Sequence, residues 1–236
     1  MDSLLVFAIV SALIALHEYG HLLAARAVGI PIARFSVGMG PSIASFRHGG
    51  TEYCLGILPF GGYVMPELES EQDYFRFDPG RRVVFALGGP VVNIVAACML
   101  FALSACVTDR TILGVLDFAV TRTADTFLGT FALLPTLFEH PDQLSGVVGI
   151  VAEGSQWTSA GAAASLSFAA LLSINLAVLN LLPLPPLDGG KVVLCLLEYV
   201  YGDTQRWHLP VSLAGWALFL GLFVYVTVLD VARLGA

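Results

Sequence analysis

Apolar residues run through this chain in long blocks, with polar positions gathered between them. Four blocks, at about 4–27, 83–107, 160–182 and 209–233, approach or exceed the roughly 20 residues that cross a bilayer as a helix. The pattern predicts a membrane all-α protein of four transmembrane helices. Between the first two blocks stands "IASFRHGGTEYCLGILPFGGYV". Aromatic and β-branched residues flank His48-Gly49-Gly50, which predicts two short strands around a turn. A second glycine pair, Gly61-Gly62, predicts a further bend. This small β-hairpin or sheet, about 35–64, is too apolar for an ordinary aqueous loop. It is expected to dip into the membrane or lie against it, where non-helical backbone must be buried in protein or line a wet cavity. Residues 66–80 read as an exposed loop. Residues 108–159 show no strong pattern beyond a short amphipathic helix in "TADTFLGTFALLPTLF". With no internal repeat, the whole chain, 1–236, is expected to be one intramembrane domain.

Composition strengthens the membrane reading. Of 236 residues 57% are hydrophobic and 12% charged, where a soluble domain is about a quarter charged. The first block lacks a basic leader, and its polar residues fall where a cleavage site would stand. It is expected to be a retained helix. The net charge of −7 comes with 11 scattered basic residues, so no nucleic-acid partner is expected. Eight Lys and Arg fall on the side of the loops after the first and third helices, against three on the other. The positive-inside rule places those eight in the cytoplasm and both termini outside it. The chain is expected in the cell (inner or plasma) membrane, multi-pass. Its four cysteines form no C-x-x-C pair and read as small buried hydrophobes without disulfides.

The first block carries chemistry that lipid alone would not tolerate. His17, Glu18 and His21 form H-E-x-x-H. On a helix, positions four apart share a face, so two imidazoles can reach one metal ion. Glu18 stands beside them, placed to take a proton from an activated water. This is the zinc metalloprotease motif. An acidic residue at a helix centre in lipid costs at least about 2.5 kcal/mol, which favours a partnered or cavity-facing role. At 1.5 Å per residue from Leu4, His17 lies roughly 20 Å into the bilayer, past the midplane toward the cytoplasmic face. A catalytic zinc takes three protein ligands and an open position. Among the remaining histidines, His48 reads as a turn residue, and His140 and His208 as interfacial. Asp188 in "NLLPLPPLDGGKVV" follows the third helix on the same side as the histidine pair. It is either the third ligand or the N-cap of the helix that follows; the missing ligand favours the first. Pro183, Pro185 and Pro186 forbid regular helix there. Asn180, Asn93 and Asn175 have the simpler role of bonding neighbouring helices, and Asp230 that of an interfacial acid.

Together "HEYGH", "ILPFGGYV", "GGPVVN", "LSGVVGI" and "SINLAVLNLLPLPPLDGG" closely resemble the site-2 protease family of intramembrane zinc metalloproteases, along nearly the whole chain. The resemblance implies that His17, His21 and Asp188 hold Zn2+ and that Glu18 is the catalytic base. It implies that Asn180 contacts the substrate backbone, and that the hairpin over 43–64, with Gly61 and Gly62, lines the substrate path. It further implies transmembrane protein substrates, such as membrane-tethered regulators or signal-peptide remnants. For the PDZ domain that many bacterial members carry between the second and third core helices, no counterpart is expected beyond residues 108–159, and a C-terminal CBS module is not expected either. An intramembrane metal-ion transporter is the alternative from another class; it predicts polar groups stacked along several helices.

Overall fold

The computed structural model describes residues 2–69, 71–108, 111–139, 146–202 and 205–234. In chain order the elements are α1 (Asp2–Val28), β1 (Ile32–His48), β2 (Thr51–Pro66), α2 (Glu71–Tyr74), α3 (Pro79–Cys106), α4 (Ile112–Glu139), α5 (Val147–Ser159), α6 (Ala162–Asn180), α7 (Asp188–Tyr201) and α8 (Gln205–Leu234). Four described helices contain stretches long and apolar enough to cross a membrane: Ser3–Val28, Pro79–Cys106, Ala162–Asn180 and Leu209–Asp230. These are the four blocks read from the sequence. The chain is thus a mainly helical, multi-pass membrane protein with one small sheet.

The fold is richer in helix than the apolar blocks indicate. Between 108 and 159 the described residues include two helices, α4 of 28 residues and α5 of 13, in place of one short amphipathic segment. Asp117, Arg122 and Asp125 interrupt the apolar run of α4 and hide it from a hydropathy reading. Its start was nevertheless written in Thr111, whose Oγ1 accepts the Gly114 N–H at 3.3 Å as an N-cap. The loop over 66–80 is also less exposed than its acidic residues imply. Tyr74, Phe75 and Phe77 are half-buried there. α3 begins at Pro79, capped by Asp78 Oδ1 on the Gly80 N–H at 2.8 Å, the Asp-Pro start that a helix favours.

The chain forms two compact units. The first comprises Met1–Val10, Ile94–Val178 and Trp216–Ala236. Its polar side chains tie helix to helix. Ser104 Oγ donates to the Ala163 carbonyl at 2.9 Å and lies 2.9 Å from Ser167 Oγ. Asp230, expected at an interface, is only 4% exposed. Its Oδ2 accepts the Gly149 N–H at 3.0 Å, in the first turn of α5, whose own N-cap Gly146 offers no side chain. A carboxylate from α8 therefore satisfies a helix start that the local sequence leaves open.

The second unit comprises Ser11–Asn93 and Leu179–Gly215, and every candidate site residue falls in it. β1 and β2 pair antiparallel through strands of 17 and 16 residues, longer than the two short strands expected. Gly49 and Gly50, both at positive φ, make the turn between them. Phe35 is paired with Tyr53 on one side and Val64 on the other, while Phe46 also pairs with Tyr53. The sheet thus runs, in space, 42–48, 51–56, 32–37, 62–66. The reversal this requires between residues 56 and 62 is the bend expected at the second glycine pair. Leu22, Ala25, Ile30, Ile32, Phe35 and Phe85 form the core of this unit. Ile43, Phe46, Ile57 and Leu58 stand exposed on the sheet, in keeping with its apolar composition. Of the four cysteines Cys54 and Cys195 are buried as expected, Cys98 is half-buried, and Cys106 is exposed; all are free thiols.

Candidate metal centre

α1 and α3 cross in close contact. A Cβ on Gly20 would lie 2.3 Å from the Gly88 carbonyl oxygen, and one on Gly88 would lie 2.5 Å from the Gly20 oxygen. Only glycine on both helices permits this approach. It brings α3 against the face of α1 that carries His17 and His21. Both histidines are buried, at 5% and 6% exposure.

Asp188 joins them from the start of α7. The segment Leu181–Leu187 is non-helical, as its prolines require, and folds back on the first turn of α7. Gly189 and Gly190 permit this: Cβ atoms there would stand 2.2 Å from the Leu181 oxygen and 2.6 Å from Leu184 carbon. The N-cap of α7 is Leu187, and Asp188 is its first helical residue. The carboxylate therefore does not cap the helix. It turns to the histidines, with Oδ2 3.1 Å from His17 Nε2 and 3.1 Å from His21 Nε2. The two Nε2 atoms are 3.2 Å apart.

These three atoms form a nearly equilateral triangle. Ligands about 2.0 Å from a tetrahedral zinc sit about 3.3 Å from one another, so the triangle has the dimensions of three zinc ligands. Its chemistry agrees. His21 Nδ1 donates to the Phe85 carbonyl at 2.8 Å, which leaves Nε2 with its lone pair. That lone pair and the Asp188 carboxylate oxygen, both electron-rich, converge beside His17 Nε2 and are suited to a shared cation. Among the described residues this trio is the one cluster of metal-binding groups. Lys191, half exposed, donates to the other Asp188 oxygen at 2.9 Å. Burial works to raise the Asp188 carboxyl. Hydrogen bonding to the two histidines and the nearby Lys191 ammonium outweigh burial and hold it well below the usual carboxylate range.

The other expected residues are placed unequally. Glu18 is half-buried and within electrostatic range of His17, His21, Asp188 and Lys191. Gly62 lies against it: a Cβ on Gly62 would be 2.9 Å from Glu18 Cγ and 2.8 Å from the Ser36 carbonyl oxygen. Gly61 adopts φ +72°, over the Met39 side chain. Asn180 is half-buried as the last residue of α6, and is joined to Asp188 by the folded-back segment. His48 sits at the hairpin turn, as expected. His140 and the side chain of His208 lie outside the described residues.

Two further residues stand at the site, both in the quoted "GGPVVN": Gly89, which went unread, and Asn93, which bonds a neighbouring helix as expected but does so at a histidine of the site. A Cβ on Gly89 would lie 2.6 Å from His17 Cε1, His17 Nε2 and His21 Nε2. Asn93, fully buried, places Nδ2 3.4 Å from His17 Nδ1. Spacing could have found both, since Phe85, Gly89 and Asn93 recur every four residues along one face of α3.

A buried triad of two imidazoles and a carboxylate beside a glutamate, within a multi-pass helical protein, defines a membrane metallohydrolase. Comparison with known proteins makes this specific. The model of the family described as Peptidase family M50 matches residues 5–224, and the chain belongs to that family of site-2-type zinc metalloproteases. A protein of Clostridium perfringens named as a candidate zinc metalloprotease is 28% identical, over 94% of this chain and 96% of its own length. One from Synechocystis, so named too, is 24% identical over 99% and 95%. A chloroplast protein of Arabidopsis thaliana, named as a candidate membrane metalloprotease, is 26% identical over 93% and 78%. The first alignment runs over 320 positions against a chain of 236, so that relative has inserted residues which this chain lacks. The enzyme is accordingly a zinc metalloprotease.

Proposed function

We propose that the protein hydrolyses peptide bonds within transmembrane segments of single-span proteins, with zinc held by His17, His21 and Asp188. The observation that carries this reading is the 3.1–3.2 Å triangle of ligand atoms, its two histidines on a helix long and apolar enough to cross a bilayer. Zinc, when bound, supplies Lewis-acid activation of water and of a scissile carbonyl. Glu18 takes the proton of the attacking water and delivers it to the leaving amine. Gly62, where a Cβ would stand 2.9 Å from Glu18 Cγ, lets this strand pack directly against the base.

A peptide bond in a membrane helix is hydrogen-bonded and dry, so the substrate must be unwound before water can attack it. Residues 62–66 are paired on one side, to 32–37, and pass directly beside Glu18. An extended substrate added as a strand along their other side exchanges its helical hydrogen bonds for intermolecular ones and brings its backbone to the base. Asn180, at the end of α6, binds a substrate backbone group left over by this exchange. Exposed Ile57 and Leu58 contact the substrate's apolar side chains or lipid. The substrates are membrane-tethered regulators or signal-peptide remnants, cut in regulated proteolysis at the cytoplasmic side of the cell membrane.

The test uses Glu18→Gln protein in detergent with a reporter carrying one transmembrane segment. The variant keeps its zinc and loses cleavage by at least about two orders of magnitude, the contribution of a positioned base. Retained turnover would refute the assignment of Glu18.

A further inference from the structure

We propose that Asn93 is a positioning residue for the metal centre, its carboxamide fixing His17 in the tautomer that offers Nε2 to zinc. The inference rests on the ligand reading above and extends it to the helix behind the histidines. An imidazole that ligates through Nε2 carries its proton on Nδ1, and that proton needs an acceptor. For His21 the acceptor is the Phe85 carbonyl, at 2.8 Å. Helix geometry alone would leave that carbonyl shielded by the side chain four residues on. That position is Gly89, and its missing side chain uncovers the oxygen.

At His17 the far nitrogen meets a side chain instead. The group at its Nδ1 is the carboxamide of Asn93, 3.4 Å away and fully buried. A half-turn of this planar group exchanges Nδ2 for Oδ1 at the same place. With oxygen toward the ring, Nδ1–H is accepted and the Nε2 lone pair faces His21 Nε2 and Asp188 Oδ2. With nitrogen toward the ring, the proton is driven to Nε2 and ligation is blocked. Phe85, Gly89 and Asn93 thus act as one stripe of α3. The first and last hold the far nitrogens of the two ligands, and the middle one makes space for both rings.

The chemistry at position 93 therefore outweighs its size. Asn93→Asp, of equal shape, can only accept and secures the ligating tautomer. Asn93→Leu, of similar bulk, offers neither group, and Asn93→Ala removes the carboxamide with less crowding. Zinc affinity is measured by chelator competition on detergent-purified protein, alongside the absorption spectrum of the cobalt-substituted form. Leu and Ala variants are expected to bind zinc about 10- to 100-fold more weakly, the usual loss when a histidine's outer partner is removed, with a changed cobalt spectrum. The Asp variant is expected to match or exceed the parent. Wild-type affinity in the Ala variant, or an equal loss in the Asp and Ala variants, overturns the proposal and leaves Asn93 a packing residue. His17→Ala is run in parallel. If it too retains full affinity, the ligand assignment itself has failed, and this inference with it.

Discussion

Gly89→Ala adds one methyl group where the triad has no room for it. The new Cβ stands 2.6 Å from both Nε2 atoms and from His17 Cε1, against an ordinary contact of at least 3.4 Å. It intrudes by about 0.8 Å on three atoms at once, beside the place where their lone pairs converge. The helices are tightly packed there, with Gly88 already against the backbone of Gly20. Either the rings turn or the helices part, and overpacking of this kind costs about 1–3 kcal/mol. Borne wholly by the zinc-loaded form, that is about a 5- to 150-fold loss of zinc affinity. The assay is zinc retained after dialysis against graded chelator, with cleavage of a transmembrane reporter. Helical content by circular dichroism confirms folding. Gly129→Ala is the control: that glycine lies in α4 with no atom within 4 Å of a built Cβ, so alanine there keeps full zinc and gains up to about 1 kcal/mol of helix stability. Full zinc retention and unchanged cleavage in Gly89→Ala would refute the placement of the metal between these rings.

Three further outcomes follow from the geometry. Arg82 is fully buried, donates to Glu198 at 2.6 Å and to the Phe77 carbonyl at 3.1 Å, and lies over the Tyr74 and Phe75 rings. Arg82→Met leaves Glu198 buried without this cation and should cost about 3–5 kcal/mol, read as a fall in thermal midpoint in detergent; adding Glu198→Leu should recover most of it, and equal midpoints for the single and double variants would contradict the pairing. Asp230→Ala removes the borrowed cap of α5 and should cost about 1 kcal/mol, visible as faster proteolysis within residues 146–159; unchanged proteolysis would argue against that cap. Lys191→Met frees one oxygen of Asp188 and should weaken zinc retention several-fold, at the low end for a charge-assisted bond because the ammonium is half exposed; wild-type retention would show that Lys191 does not orient the carboxylate.

What the sequence disclosed, and what it withheld, divides along physical lines. The four spans were legible because lipid demands about 20 apolar residues in a row, and the hairpin turn because paired glycines at positive φ leave few other readings. His17, Glu18 and His21 were legible because one helical turn brings them together. Asp188 lies 171 residues from His17, and it was reached through the missing third ligand, the broken helix around its prolines and the family resemblance rather than through spacing. α4 was read only in its second half because Asp117, Arg122 and Asp125 mask the periodicity before it, and α5 was missed because its cap comes from α8. Gly89 acts through the absence of atoms, and Asn93 through one contact with another helix. Neither function shows in a single sequence until the helices are placed side by side.

The most direct test of the metal centre is X-ray absorption at the zinc edge of the purified protein. Two imidazoles and one carboxylate predict nitrogen and oxygen scatterers at about 2.0–2.2 Å, with the imidazole pattern halved in His21→Ala. A sulfur shell near 2.3 Å, or an unchanged spectrum when Asp188 and both histidines are replaced together, would show that zinc is held elsewhere.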